Sequence, residues 1–107
     1  MKKSYWLSYD LGIKGDYDNL YSWLAKLEAV ECGESLAHFT LNIGKGEDPK
    51  QAIENKLKEQ IELSTKDRIY IIWREGSRVR GSFIYGSRKT PPWAGYEVTT
   101  PTIDEST

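Results

Sequence analysis

Alternating apolar and polar positions predict a strand at the start of the chain. Residues 4–11 (SYWLSYDL) are mostly aromatic or branched, and neither Gly nor Pro interrupts them. Successive side chains of a strand point to opposite faces, which puts Tyr5, Leu7, Tyr9 and Leu11 on one face and Trp6, Ser8 and Asp10 on the other. Because Gly12 and Gly15 then form a turn, Asp10 stands at the carboxyl end of a strand that we expect to be central.

Two segments have helical spacing. The first covers 16–28, where Asp16 is a good N-cap and apolar residues recur every three or four positions, at Tyr17, Leu20, Tyr21, Leu24 and Leu27. Trp23 lies off this stripe, and is expected to pack within the domain or against a partner. The second helix begins at Asp48-Pro49 and ends near Leu63, with a predicted buried stripe of Ala52, Ile53, Leu57, Gln60 and Ile61.

Four further strands are predicted. Residues 29–32 form a short one, and residues 35–43 alternate with Ala37, Phe39, Leu41 and Ile43 on one face. Residues 68–73 (RIYIIW) are apolar on both faces, which favours a central strand covered on each side. Residues 78–85 follow Glu75-Gly76-Ser77 as a hairpin partner.

This order of elements predicts an α+β fold. Two helices over one face of a mainly antiparallel sheet is the ferredoxin-like βαββαβ sandwich, here with an added C-terminal strand or hairpin. The first and fourth strands then lie near the centre of the sheet. We expect one such domain over residues 1–89, followed by an extended C-terminal segment and flexible tail over residues 90–107.

Composition limits the compartment, the partners and the oligomeric state that we expect for this chain. The single cysteine, Cys32, excludes an internal disulfide and is expected to be a half-buried strand residue in a cytoplasmic protein. No apolar run reaches the roughly 18–20 residues of a membrane span. The net charge of −1 gives no general attraction to nucleic acid. Four tryptophans exceed what so small a core easily hides, which predicts a homodimer.

The region after the fourth strand has a local excess of positive charge. Its basic residues, with a nearby aromatic, are the candidate nucleic-acid-binding set: Arg74, Arg78, Arg80, Arg88, Lys89 and Trp93. Basic side chains bind phosphates and aromatic rings stack on bases. The alternative is an exposed hairpin whose arginines discourage edge-to-edge pairing.

His38 is the only histidine, in the middle of a strand. No histidine or cysteine lies beside it, and zinc-ligand spacing is absent, so we expect surface exposure or packing on the sheet rather than acid–base chemistry.

Four short motifs carry a family resemblance. They are Tyr9-Asp10-Leu11, the helix start at 16–21 (DYDNLY), Glu34-Ser35, and Asp67-Arg68-Ile69. Across residues 4–73 the chain resembles the small ferredoxin-like family around CRISPR-associated protein 2, including SinR-like and VapD-like proteins. Ser35 matches only weakly, because the aromatic expected close behind it is displaced to Phe39.

The resemblance implies a homodimer, in some members with a C-terminal strand that completes the partner's sheet. It also implies Asp10 as the catalytic and metal-binding residue, since some members are metal-dependent nucleases that use the corresponding aspartate. Mg²⁺ is the candidate cofactor, because it prefers oxygen ligands. The alternative for Asp10 is a carboxylate that caps the following turn.

The leading interpretation is a dimeric nucleic-acid-associated domain, with metal-dependent cleavage of RNA or DNA at Asp10 as its candidate activity. The alternative is a non-catalytic protein-interaction module, such as an antitoxin or a defence accessory, and the acidic pI near 5.8 favours it.

Overall fold

The computed structural model describes residues 2–86 and 91–96. Its elements, in chain order, are β1 (Lys2–Asp10), α1 (Tyr17–Lys26), β2 (Val30–Gly33), β3 (Leu36–Asn42), α2 (Pro49–Gln60), β4 (Arg68–Glu75) and β5 (Arg78–Tyr85). The predicted α+β class and the predicted order of elements are confirmed. Of the predicted C-terminal segment and tail at 90–107, residues 90 and 97–107 lie outside the described residues.

The strands form one antiparallel five-stranded sheet in the order β2-β3-β1-β4-β5. β1 is central, and Tyr5 lies opposite Phe39 of β3 and Trp73 of β4. The strand order differs from that of a plain four-stranded ferredoxin-like sheet, because β5 takes the edge beside β4. Among the described residues, β2 and β5 are the edge strands, and no further strand pairs with their outer backbone groups.

The core lies between the two helices and one face of the sheet. Inward side chains of the sheet meet Leu20 and Leu24 of α1 and Ile53 and Leu57 of α2. The strands contribute Tyr5, Leu7, Ala37, Phe39, Ile69, Ile71, Trp73 and Ile84. The face predicted for Tyr5 and Leu7 is therefore the buried one, and it holds the helices in place by excluding apolar surface from water.

The opposite face of the sheet has no helix on it in the described part of the chain. β4 is an interior strand, as predicted, but in the described part of the chain no second layer of helices covers its other face, where Tyr70 and Ile72 are half-buried. We call this surface the open face; it carries Trp6, His38, Tyr70, Ile72 and Phe83. Apolar residues on both sides of a strand do not by themselves imply two covering layers.

The predicted packing of Trp23 within the domain is confirmed, but its predicted position off the stripe of α1 and the predictions for Gln60 and Cys32 are wrong. Trp23 belongs to the buried stripe of α1, because its ring packs edge-on against Phe39 with centroids 5.4 Å apart. Gln60 is exposed at the last turn of α2. Cys32 is exposed, because all of β2 lies at the edge of the sheet without cover. Trp23 and Trp73 are both buried, which removes half of the tryptophan argument for a dimer.

Both predicted N-caps are confirmed. Asp48 accepts a hydrogen bond from the backbone N–H of Gln51 at 2.9 Å, with Pro49 at the first helical position. Asp16 accepts from the backbone N–H of Asn19, and it also accepts from the backbone N–H of Glu62, just after α2, at 2.9 Å. Asp16 therefore links the start of α1 to the end of α2.

The bonds to Asp16 make the stability of the fold depend on pH. The backbone N–H of Glu62 and then the amide of Asn19 hold the pKa of Asp16 below its usual value. A lowered folded-state pKa contributes stability above the unfolded value of about 3.9 and loses it as pH falls through the folded value. We expect Asp16→Asn to lower the free energy of unfolding more at pH 7 than at pH 2.5, measured by urea unfolding.

Asp18→Asn is the matched control, since it removes an exposed carboxylate from the same first turn. An Asp16→Asn loss that is equal at both pH values would contradict the assigned role of the Asp16 charge.

Candidate functional site

Asp10 ends β1, where its backbone lies opposite Arg68 of β4. The Arg68 guanidinium donates a hydrogen bond to Oδ2 of Asp10 and forms an ion pair with it. The Asp10 side chain is 64% exposed and that of Arg68 26% exposed. The candidate catalytic residue is therefore a cross-strand ion-pair partner on the open face.

The turn-capping role considered for Asp10 belongs to Asp67. This carboxylate is 1% exposed and accepts from the backbone N–H of Gly12 at 2.7 Å and of Ser64 at 2.8 Å. It joins the loop after β1 to the turn before β4. In the sequence, Asp67 ends the turn at 64–67 and begins a strand motif, and an aspartate at the end of a turn is the signal that indicates such a cap.

The backbone segments at Gly12 and Gly86 lie close to the turn that contains Asp67. A side chain at Gly12 would meet Cβ of Lys66 at 3.0 Å. Gly86, just after β5, has a positive φ of 72°, and a Cβ there would overlap the carbonyl oxygen of Asp67. Glycine at both positions lets three chain segments meet at the Asp10 end of the sheet.

A cavity of about 320 Å³ lies beside Asp10 on the open face. Its walls are Ser8, Asp10, Arg68, Tyr70, Phe83 and the segment Pro91-Pro92. Its lining therefore combines an ion pair and a hydroxyl with two aromatic rings. This mixture suits a flat ligand that has polar edges.

The residues around Asp10 do not fit a magnesium site within one chain. Among residues 2–86 and 91–96, no group of three or more His, Cys, Asp or Glu side chains is placed to hold a metal ion. The carboxylate of Asp10 is paired with the positive guanidinium of Arg68, which repels a divalent cation. Magnesium at Asp10 stays a prediction, and no reaction step is derived from it.

The hairpin of β4 and β5 separates the candidate arginines. Arg74 lies opposite Val79 on the open face, whereas Arg78 and Arg80 lie opposite Glu75 and Trp73 on the helix side. Nε of Arg80 forms an ion pair with Glu75 at 3.0 Å. Arg78 is exposed and lies with Arg80 in a shallow cavity of about 450 Å³ at the β5 edge.

The start of β1 adds two cations to this hairpin. Because β1 and β4 are antiparallel, Lys3 reaches the end of β4, and its Nζ donates to the backbone oxygen of Arg74 at 3.2 Å. We call the resulting set the cationic end: Lys2, Lys3, Arg74, Arg78 and Arg80, with one acid, Glu75, in the same segments. Sequence reasoning missed the two lysines, since they lie about seventy residues from the hairpin.

The other residues singled out in the sequence are Trp93, Arg88, Lys89, His38 and Ser35. Trp93 is 71% exposed and lines a cavity with Pro92 and Tyr96. Arg88 and Lys89 lie outside the described residues. His38 packs on Trp6, with ring centroids 4.9 Å apart, as expected for a packing role on the sheet. Ser35 has a positive φ of 59° in the turn before β3, and its carbonyl accepts from the N–H of Tyr9.

Compared with protein-family models, with curated proteins and with solved structures, the chain matches none of them. The resemblance to the family of CRISPR-associated protein 2 therefore stays a prediction. No helix in the described part of the chain is long and apolar enough to cross a membrane.

The buried position of Asp67 predicts a large loss of stability on truncation. Asp67→Ala leaves the N–H groups of Gly12 and Ser64 without their acceptor, at about 1–3 kcal/mol for each group that stays unsatisfied. We expect the free energy of unfolding to fall by about 3 kcal/mol in urea titrations. Asp10→Ala is the control, because exposed ion pairs contribute about 0–1 kcal/mol. Equal losses in the two variants would refute the role assigned to Asp67.

Proposed function

We propose that this chain is a nucleic-acid-associated domain. The observation that carries the proposal is the cationic end, where β1 and the β4–β5 hairpin place five cationic side chains against one glutamate in a chain of net charge −1. A polyanion responds to local charge, and phosphate contacts from Lys and Arg supply most sequence-independent affinity. The geometry supports binding more than cleavage.

The cations of this end differ in how free they are to bind phosphate. Lys2, Arg74 and Arg78 are exposed, whereas Lys3 is half-buried and donates to the Arg74 carbonyl. Arg80 would first exchange its ion pair with Glu75. We therefore assign the main phosphate contacts to Lys2, Arg74 and Arg78.

The proposal includes the ferredoxin-like arrangement, extended at the β4 edge by β5, and a homodimer of the kind that the resemblance implies. Two edge strands and the exposed apolar residues Val30 and Val79 on them support association through sheet edges. The single exposed cysteine, Cys32, suits a reducing compartment, so a cytoplasmic location belongs to the same proposal.

A protein-interaction module is the second candidate. The observation that favours it is the exposed edge of β5, where Arg78, Val79, Arg80 and Gly81 line a shallow cavity. An extended segment of another protein adds to such an edge through main-chain hydrogen bonds. An antitoxin or a defence accessory is a partner-binding protein of this kind.

The salt dependence of binding tests the proposed function. The triple variant Lys2→Gln, Arg74→Gln, Arg78→Gln removes the three assigned phosphate contacts. Each lost contact lowers the slope of log affinity against log salt by about 0.7 for a single strand and about 0.9 for a duplex. We expect a slope lower by about 2 in fluorescence-anisotropy titrations of a labelled single-stranded oligonucleotide.

The matched control removes the same charge at positions away from the cationic end, by Lys14→Gln in the loop after β1, Lys26→Gln on α1 and Lys56→Gln on α2, all exposed residues. Its slope should equal that of the wild-type protein. Equal slopes in the wild-type protein and both triple variants would contradict the proposed function and favour the protein-interaction module. The absence of binding of any oligonucleotide by the wild-type protein would do the same.

A further inference from the structure

Aromatic side chains lie in the middle of the open face, where no helix of the described chain covers them. Trp6 of β1 packs on His38 of β3, and Tyr70 of β4 meets Phe83 of β5 edge-on with ring centroids 5.0 Å apart. Because Trp6 also lies opposite Ile72, the two ring pairs sit on one continuous surface. We call these four residues the aromatic row.

The sheet accommodates the Tyr70–Phe83 pair specifically. A Cβ at Gly81 would lie 2.5 Å from the hydroxyl oxygen of Tyr70, so glycine there leaves room for the Tyr70 ring against β5. Phe83 keeps 42% of its surface exposed. An exposed Phe ring held beside a second ring on a rigid strand is a surface on which a flat group stacks with little loss of side-chain freedom.

The charges of the open face suit a polyanion. Its described charged residues are Lys2, Asp10, Arg68 and Arg74, and the carboxylate of Asp10 is neutralised by the guanidinium of Arg68. Lys2 and Arg74 have no acidic partner among the described residues, and Arg74 joins this face to the cationic end. A nucleic-acid chain whose phosphates bind the cationic end would therefore pass over the aromatic row next.

The cavity beside Asp10 lies at the end of the open face opposite Arg74. Its aromatic wall is the Tyr70–Phe83 pair, and its polar wall is Ser8 with the Asp10–Arg68 ion pair. Carboxylates accept hydrogen bonds from exocyclic amino groups of bases, and guanidinium groups donate to base oxygens and nitrogens. A base that stacks on Phe83 would place its polar edge against these groups.

We infer that the open face binds single-stranded nucleic acid, with the aromatic row stacking on bases and the cavity beside Asp10 holding one of them. The inference rests on the proposed function and adds the ligand class and the site. Base pairing in a duplex hides the polar edges and the stacking faces of bases, whereas a single strand presents both. Asp10 then acts as a base contact and not as a metal ligand.

The test compares Phe83→Ala and Phe83→Leu with Tyr21→Ala. Tyr21 is a half-exposed aromatic on α1, on the opposite side of the sheet, and so it is the matched control. Each protein is titrated with labelled single-stranded RNA, single-stranded DNA and a duplex of the same sequence. Both Phe83 variants should bind single strands about 5- to 150-fold more weakly, the range for loss of one base–aromatic stack. Tyr21→Ala should bind like the wild-type protein.

Quenching of tryptophan fluorescence gives a second readout that does not depend on the Phe83 variants. Single strands should quench the wild-type protein, and Trp6→Phe should lose most of that quenching. Thermal unfolding by circular dichroism shows that each variant is folded.

The outcomes separate the inference from the proposed function. If both Phe83 variants bind oligonucleotides with unchanged affinity, the aromatic row is not the binding site. Tighter binding of duplex than of single strands excludes it as well. The proposed function stands in both cases. No binding of any oligonucleotide by the wild-type protein overturns both the inference and the proposed function. A Phe83 variant that shifts the sedimentation coefficient and leaves oligonucleotide affinity unchanged shows that a second copy covers the face, which also overturns the inference.

Discussion

The buried carboxylate of Asp67 is the constraint on which the Asp10 end of the structure depends. Its hydrogen bonds from Gly12 and Ser64 close the loop after β1 and the turn before β4 onto each other. The next residue, Arg68, is thereby placed opposite Asp10. Because Gly86 also passes against Asp67, the end of β5 is fixed at the same point. The ion pair and the cavity of the open face follow from this junction.

The second determinant is that the helices cover one face of the sheet. Core residues from α1 and α2 meet one set of alternating strand positions, and the other set is left toward solvent. An uncovered sheet usually carries polar residues there. This one carries Trp6, Tyr70, Ile72 and Phe83, whose exposure costs free energy unless something binds them. The aromatic row is therefore the feature that most strongly indicates a ligand.

Local patterns predict the elements well, and tertiary relations account for the errors. The bounds of β5, Arg78–Tyr85, are as predicted, because a turn and a glycine define its ends. Trp23 lies off the stripe that the spacing predicts for α1, yet it is buried, because contact with Phe39 decides which positions of so short a helix face the core. The edge position of Cys32 depends on strand order, and the meeting of Lys3 with Arg74 depends on strand register; no local pattern specifies either.

The most direct measurement is chemical-shift mapping of the isotope-labelled protein during addition of a single-stranded oligonucleotide. We expect the largest changes at the backbone amides of Trp6, Tyr70, Phe83 and Arg74 and at the indole N–H of Trp6. Amides of the exposed surfaces of α1 and α2 should change little. Changes that cluster on the two helices, or the absence of any change at millimolar oligonucleotide, would contradict this expectation.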